Sequence, residues 1–453
     1  MPSTRLSALD ASFLEVESTT AHMHVGWAAT FSPPDDARRP SSEELQGHIA
    51  ARLGRAPRYR QRLARVPFGL HDPEWADHAA FDPAEHIRAS GATDLGGLVA
   101  DVLSHPLRRD RPLWELWIAD QLADGRIGMV GKAHHCMVDG IAAVELSTLL
   151  LDAAPHPEHY TPDGWHAAPA PAPLELLGRG LVDRAREQLA LALTPWRLLA
   201  SPRRLLGAPV RALHATRAVG DALSPSPPAT PFNQPSSSLR HLATLRRPLD
   251  DLRRVKARFG TTVNDVVLAA CAGAARTFLL ARGHEPMRLK TKVPVNVRDG
   301  EAGDLGNRIS FMFVGLPCDE PDPLMRLFDV HHQTAARKRG GVPEEGDAVL
   351  RAAGYAPPPV QRVLSRLMAS PRMFNLVVSN IPGPRIPLWL RGCRLEEAYP
   401  VVPLADRHAV SIGMTTVRDD ACFGLYADRT TLPDADALAR DLDVAVDELL
   451  GLL

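Results

Sequence analysis

Aromatic residues make up only 5% of the 453-residue chain, and its charges nearly cancel, with 52 Lys and Arg against 53 Asp and Glu. Without a basic field, and with few rings for bases to stack on, no nucleic-acid partner is expected. Cysteine is scarce too. Cys136, Cys271, Cys318, Cys393 and Cys422 are odd in number, widely spaced and form no CxxC pair. They supply neither a disulfide framework nor a cysteine metal site. The opening residues, MPSTRLSALDASFLEVE, carry Asp10, Glu15 and Glu17 and lack the apolar core of a signal peptide. No run of about 18 apolar residues occurs; even 266–281 is broken by Arg276. The expectation is a cytoplasmic protein that does not span a membrane. Lysine appears only at 132, 256, 290, 292 and 338, so the basic residues are almost all Arg, a bias attributed to a GC-rich genome.

What is present describes a globular chain. Hydrophobic residues are 45% and charged residues 23%, enough for a sizeable core. The length suggests two or three domains. Many of the 41 prolines fall in 153–173 and 195–235, which marks a linker region. Three segments follow: 1–155, a Pro/Ala/Arg-rich connector 156–238 with amphipathic helices, and 239–453.

In the first segment, residues 10–17 read as a short helix, His24 to Phe31 as a strand, and 41–64 as one or two helices. WELWIADQL (114–122) and RIGMVGKAHH (126–135) read as a hairpin about Asp124-Gly125. A buried helix is expected over IAAVELSTLLL, after Gly140. The connector reads as short helices broken at Pro195, Pro202 and Pro209, with eight Arg against three acids between Leu174 and Gly220. In the third segment a helix ends at Gly260, and Thr262 with Asp265 caps the next, which runs to about Arg282. RLKTKVPVNVR (288–298) alternates, with Lys290, Lys292, Asn296 and Arg298 on its polar face. NRISFMFVGL (307–316) is apolar on both faces and reads as a central strand. Helices at 322–339, 358–369 and 432–452 and strands at 374–380, 394–401 and 408–428 complete a pattern of two α/β lobes.

The sharpest chemical feature is HHCMVDG, His134 to Gly140, between a strand and a buried helix. Three readings compete. Chelation by His134, His135 and Asp139 is hindered, because neighbours on a strand point to opposite faces. A core histidine with a capping Asp139 is the structural reading. In the catalytic reading one His is a general base for a hydroxyl, and Asp139 holds the site's geometry.

HHCMVDG is similar to the HHxxxDG motif of CoA-dependent acyltransferases, which chloramphenicol acetyltransferases and peptide-synthetase condensation domains share. The whole chain more closely resembles the bacterial wax ester synthase/diacylglycerol acyltransferase family. The matching blocks are LSALDASFLEVE with MHVG (23–26), RPLWE (111–115), HHCMVDG, TTVNDVVLAACAGAAR (261–276), VPVNVR, GNRIS and VVSNIPGP (377–384), in the family's order.

The resemblance implies an α/β fold of two chloramphenicol-acetyltransferase-like lobes, mixed sheets flanked by helices, and an active-site tunnel between them. It implies acyl transfer from acyl-CoA, a co-substrate, to diacylglycerol or a long-chain alcohol, giving triacylglycerol or wax ester. No cofactor and no metal are expected. His135, the second histidine, would be the base, with His134 supporting the fold or lining the channel. Gly140 would permit close backbone approach. Asn264, in the first turn of a helix, is the candidate oxyanion donor, with capping as its alternative role. Asp139 would turn away and pair with Arg298, and Asp265 would order the turn beside Asn264. Ser379, Asn380 and Lys132 are candidates for contact with acyl-CoA; a solvated strand residue is the other reading of Lys132. Pro112 to Trp114 would shape the lobe. The 174–220 region would dock peripherally on membranes or lipid droplets, the alternative being a connector whose leucines pack on the protein. Two other functions fit the residues: a condensation-like or secondary-metabolite acyltransferase using a carrier-bound acyl group, and a non-catalytic lipid-binding protein.

Overall fold

The computed structural model describes residues 5–34, 38–138, 150–156, 164–193, 227–296, 309–339, 358–384 and 386–453. Helix α1 (Ala8–Val16) starts at Ser7, whose hydroxyl accepts the Asp10 N–H. Strand β1 (His24–Ser32) follows, then α2 (Ser42–Ala50). The stretch after α2 departs from the helical expectation. Beyond Leu53 it tightens into two short 3₁₀ turns around Pro57 and then forms β2 (Gln61–Ala64), which pairs with β3 (Glu74–Asp77). Proline cannot continue the α-helix, and its ring fixes the turn instead. Next come β4 (Ile87–Ala89), α3 (Leu95–Leu103), β5 (Trp114–Ala119) and β6 (Ile127–His134). The β5–β6 hairpin turns at Gly125, whose φ of 82° suits glycine. The helix expected over 141–151 lies almost wholly outside the described residues.

In the connector, α4 (Pro173–Ala192) is one helix of 20 residues, and the breaks expected at Pro195, Pro202 and Pro209 lie outside the described residues. The second lobe runs β7 (Arg240–Pro248), α5 (Leu249–Phe259), α6 (Val263–Leu280), β8 (Leu289–Asn296), β9 (Ile309–Leu316), α7 (Pro323–Arg339), α8 (Pro358–Met368), β10 (Leu376–Ile381), β11 (Trp389–Leu390), β12 (Cys393–Val401), β13 (Val410–Val417), β14 (Asp420–Asp428) and α9 (Ala435–Leu450).

Two six-stranded mixed sheets result, in the orders β11-β12-β1-β6-β5-β4 and β7-β14-β13-β10-β8-β9. The first contains strands from both ends of the chain. β12 pairs antiparallel with β1, Gly26 opposite Val401, so the division at 239 separates sequence but not sheets. α3 lies on the first sheet and also reaches β7. The first core takes in Leu242, Val417, Cys422 and Tyr426 from the second lobe, which makes the seam apolar. Arg240, 1% exposed, latches it. Its guanidinium donates to the carbonyls of Ser237, Leu239 and Thr20, and its backbone N–H donates to the Ser104 hydroxyl.

The second core is built on α6, packed against α7 and α9. α6 is the one helix among the described residues long and apolar enough to cross a membrane, and 72% of that window is buried in the protein. β9 is an edge strand among the described residues, not the central strand its sequence suggests. α7 packs on it, its own Phe311 and Phe313 cluster with Met373 and Phe374, and the Gln333 side-chain amide bonds both the N–H and the carbonyl of Gly315 at 2.9 Å. On the polar face of β8, Lys290 is buried and Lys292 half-buried. Lys290 stands over the ring of Phe313, and Lys292 over those of Phe311 and Phe374.

Two family blocks have a steric reason. A Cβ on Gly26 would sit 2.2 Å from the Gly131 carbonyl oxygen, and one on Gly383 would sit 1.7 Å from that of Thr416. Because the obstacle is backbone in both cases, no rotamer change relieves it. Gly26→Ala is therefore expected to cost at least about 1–3 kcal/mol, seen as a lower urea midpoint. A wild-type midpoint would show that β1 and β6 can part freely.

Candidate active site

β6 delivers His134 as its last residue, and the chain then turns, with the Met137 N–H on the His134 carbonyl at 2.8 Å. The Arg-Pro-Leu-Trp block anchors this end. The Leu113 carbonyl accepts the His134 N–H at 2.9 Å. Trp114 donates through its indole to the Tyr59 carbonyl and stacks on His86. Pro112 to Trp114 thus act through packing and backbone.

The two histidines receive different environments. His134 is fully buried. Its Nδ1 accepts the Cys136 N–H at 3.1 Å, which assigns any ring proton of the neutral form to Nε2. Nε2 points at Glu17, 3.8 Å away, and Glu17 is itself paired with Arg109. Burial, then the charge of Arg109, holds the His134 pKa well below that of a free histidine. His135 is half-buried on the turn. Its backbone N–H donates to the Met23 carbonyl at 2.9 Å. Its ring stacks on Phe13 of α1, with centroids 3.8 Å apart and planes within 9°. Met23 has φ of 49°, a left-handed conformation rare for a side chain of its size. Strain of this kind clusters at functional sites; here it aims the Met23 carbonyl at the histidine turn.

The N-terminal signature and the histidine motif therefore form one unit: Ser7 starts α1, α1 presents Phe13 and ends at Glu17, and Met23 holds the turn. Phe13, Glu17, Met23 and Arg109 were not singled out from sequence, although the first three lie in or beside matched blocks. Cys136, beside the histidines, is buried, and burial pushes its thiol well above the ordinary range. That disfavours a thiolate nucleophile.

The other candidates are distributed as follows. Asp139, Gly140 and Arg298 lie outside the described residues. Lys132 is corrected in both its readings, phosphate contact and solvated strand residue. Its ammonium is buried, donates to the carbonyls of Val102 at 2.7 Å and His105 at 2.8 Å, and lies 3.3 Å from Glu115. Those partners take up its three protons, so it secures α3 to the motif strand.

In the second lobe, Asp265 is fully buried. It accepts the Thr262 N–H at 2.9 Å, the Thr334 hydroxyl at 2.7 Å and His331 Nδ1 at 2.8 Å. These bonds keep its pKa low against burial. Asn264, next to it, is partly exposed on the first turn of α6. Ser379 and Asn380 are neighbours on β10 and face opposite ways. Ser379 pairs in register with Gly413, whose open face meets Pro400 and Val402 of the crossing segment. Asn380 shares its face with Leu376 and Val378 of the helix-covered core. Only Ser379 looks toward the first lobe. Among the described residues no group of three His, Cys, Asp or Glu could hold a metal ion.

A histidine turn at the end of a strand, in a molecule of two mixed sheets of which the first takes β11 and β12 from the far end of the chain, is the architecture of a two-lobed acyltransferase. The chain belongs to the wax ester synthase/diacylglycerol acyltransferase family: its catalytic-domain model matches residues 6–267 and its C-terminal-domain model residues 305–450. A Mycobacterium tuberculosis protein named probable diacyglycerol O-acyltransferase tgs1 is 34% identical over 99% of this chain and 96% of its own. The solved wax ester synthase/diacylglycerol acyltransferase of Marinobacter aquaeolei VT8 superposes with a TM-score of 0.70 at 27% identity, covering 98% of both chains. Polyketide synthase associated protein 5 of Mycobacterium tuberculosis shares the fold, with a TM-score of 0.57 at 14% identity over 98% of each chain.

His24, His134 and His408 are all buried and held neutral, with His408 brought down to about 4 by burial above all. Neither ring nitrogen of His24 has a hydrogen-bond partner among the described residues. Their folded pKa values lie below the unfolded value of about 6.5, so below that pH the unfolded chain binds more protons. Stability is full above about pH 6.5 and falls as pH drops, by up to roughly 1.4 kcal/mol per unit for each histidine. Urea unfolding between about pH 7.5 and 5.5 measures it. A flat profile would mean that these rings take protons in the folded state.

Proposed function

We propose that the chain moves a long acyl group from acyl-CoA to a hydroxyl of diacylglycerol or a long-chain alcohol, with His135 as general base. The acceptor oxygen attacks the thioester carbonyl while His135 takes its proton. The C–S bond then breaks, and the proton passes from the imidazolium to the departing CoA thiolate. No covalent acyl-enzyme is needed.

The observation that carries this reading is the contrast between the two rings. His134 is enclosed, neutral and engaged with backbone at Nδ1, whereas His135 is half-buried with its plane set by Phe13. Stacking on Phe13 fixes the plane of the His135 ring and so the direction of its in-plane nitrogens. The tetrahedral oxyanion would find a donor in Asn264 or the free N–H groups of the first turn of α6, across the gap between lobes. Ser379, on the inward face of β10, is suited to acyl-CoA, and Asn380 is not placed beside it. An ion pair of Asp139 with Arg298 would lock the loop after the histidines.

Purified protein given palmitoyl-CoA with hexadecanol or with diacylglycerol, and its lipid products weighed, tests the reaction. His135→Ala should lose at least about 10²-fold in turnover while remaining folded. His134→Ala should lose less turnover and more stability. Asp139→Ala should unfold at lower urea, by about 3–5 kcal/mol if the pair is buried. A His135→Ala enzyme retaining more than about a tenth of wild-type turnover would end the general-base assignment.

Peripheral contact with a membrane or lipid droplet belongs to the same reading. α4 is fixed to the first lobe through polar groups, Asp183 to Arg5 and Arg179 to Glu74, while Leu174, Leu181 and Leu189 are exposed. Trp196, Leu198, Arg203 and Arg204 lie outside the described residues. Replacing Trp196 and Leu198 by Ser and both arginines by Glu should reduce flotation with anionic liposomes. Equal flotation would assign this stretch to connecting the lobes.

A further inference from the structure

Helix α8 is amphipathic in sequence, PPVQRVLSRLM, but it is mounted the wrong way round for a helix that covers a core. Val360, Val363, Leu364 and Leu367 recur at the spacing of one helix face. All four are exposed, Val363 by 65%. The side turned to the protein carries Gln361, Ser365 and Met368, and the exposed Arg362 and Arg366 flank it and reach α1. Arg362 donates to the Glu15 carboxylate at 2.5 Å, and Arg366 donates to the Glu15 carbonyl at 3.2 Å. The helix is thus pinned by its charges to the end of α1, two residues beyond the Phe13 that stacks on His135, and offers its apolar stripe outward. α8 itself carries no acid, and Arg372 just beyond it is exposed as well.

A second exposed apolar residue sits on the turn that packs against α4, whose Gly180 meets Val66 and His71. Phe68, at the tip of a turn, is 89% exposed and has φ of 60°. A bulky side chain in the left-handed region is strained, and no packing within the fold offsets that strain here.

We infer that α8, with Phe68 as an outlying anchor, seats the enzyme on an anionic lipid surface. The stripe would enter the acyl boundary, and Arg362 and Arg366 would lie at headgroup level, the arrangement of an interfacial helix. The inference rests on the preceding reading that the acceptor is a lipid alcohol. Such a molecule stays in the bilayer, so the surface that touches lipid should adjoin the helix that touches His135, and α8 does.

The test uses full-length protein and vesicles of phosphatidylcholine with and without phosphatidylglycerol. Val360→Ser/Val363→Ser/Leu367→Ser should lower partitioning onto anionic vesicles about 100-fold, and Phe68→Ser by less. The triple variant should keep the wild-type Tm and full turnover on a short, water-soluble alcohol, while turnover on vesicle-borne diacylglycerol falls with binding. Unchanged flotation overturns the inference. A lower Tm overturns it by showing that the chain itself covers the stripe. A change from dimer to monomer on sizing overturns it in favour of a second copy. Turnover of the soluble alcohol by wild type separates failure of docking from failure of the acyl-transfer reading.

Discussion

Strand β1 is held on both edges, and the site depends on that double pairing. On one side Gly26 lies flat against Gly131, so close that no side chain fits between β1 and β6. On the other side β12 arrives from the far end of the chain and closes the sheet. Between these edges the entry to β1 is fixed, and with it the twisted Met23 whose carbonyl holds His135. Loosening either edge would move His135, because the histidine turn has no regular secondary structure of its own.

The charged interior follows from the same tight joining of parts. Lys132, Asp265 and Arg240 are each buried, yet each is surrounded by fixed donors or acceptors. A buried charge left without such partners is strongly destabilising. Each one therefore joins separate elements: α3 to β6, α6 to α7, and one lobe to the other. These residues fix position: they hold the elements that carry the histidine turn and the first turn of α6.

Much of this was legible in the sequence wherever the determinant is local. Asp124-Gly125 marks its hairpin, Gly260 ends α5 in the left-handed conformation, and Thr262 with Asp265 forms a capping box, because each depends on residues a few positions apart. The histidine motif was legible as a block, but its geometry was not, since Phe13 and Met23 reach it through tertiary structure. Lys132 was misread because burial of a strand residue depends on what covers the sheet, here the C-terminal end of α3. β9 was misread for a related reason: two apolar faces report cover on both sides and do not say whether a strand lies beyond. Membership of β12 in the first sheet leaves no local mark at all. Asp139, Gly140 and Arg298 remain expectations carried by the family resemblance.

The shared sheet also bears on biosynthesis. When a ribosome has released β1, β5 and β6, the partner for the other edge of β1 has not yet been made. At typical elongation rates, the roughly 260 residues from the end of β6 to the start of β12 take about 13–52 s. Through that interval the growing chain presents an open strand edge beside apolar surface, the kind of template on which chains pair wrongly. The family's catalytic segment, ending at residue 267 inside α6, stops short of the strand that completes its own sheet. A chain cut there would carry the histidines and still lack the means to hold them, so the unit that folds is the whole polypeptide.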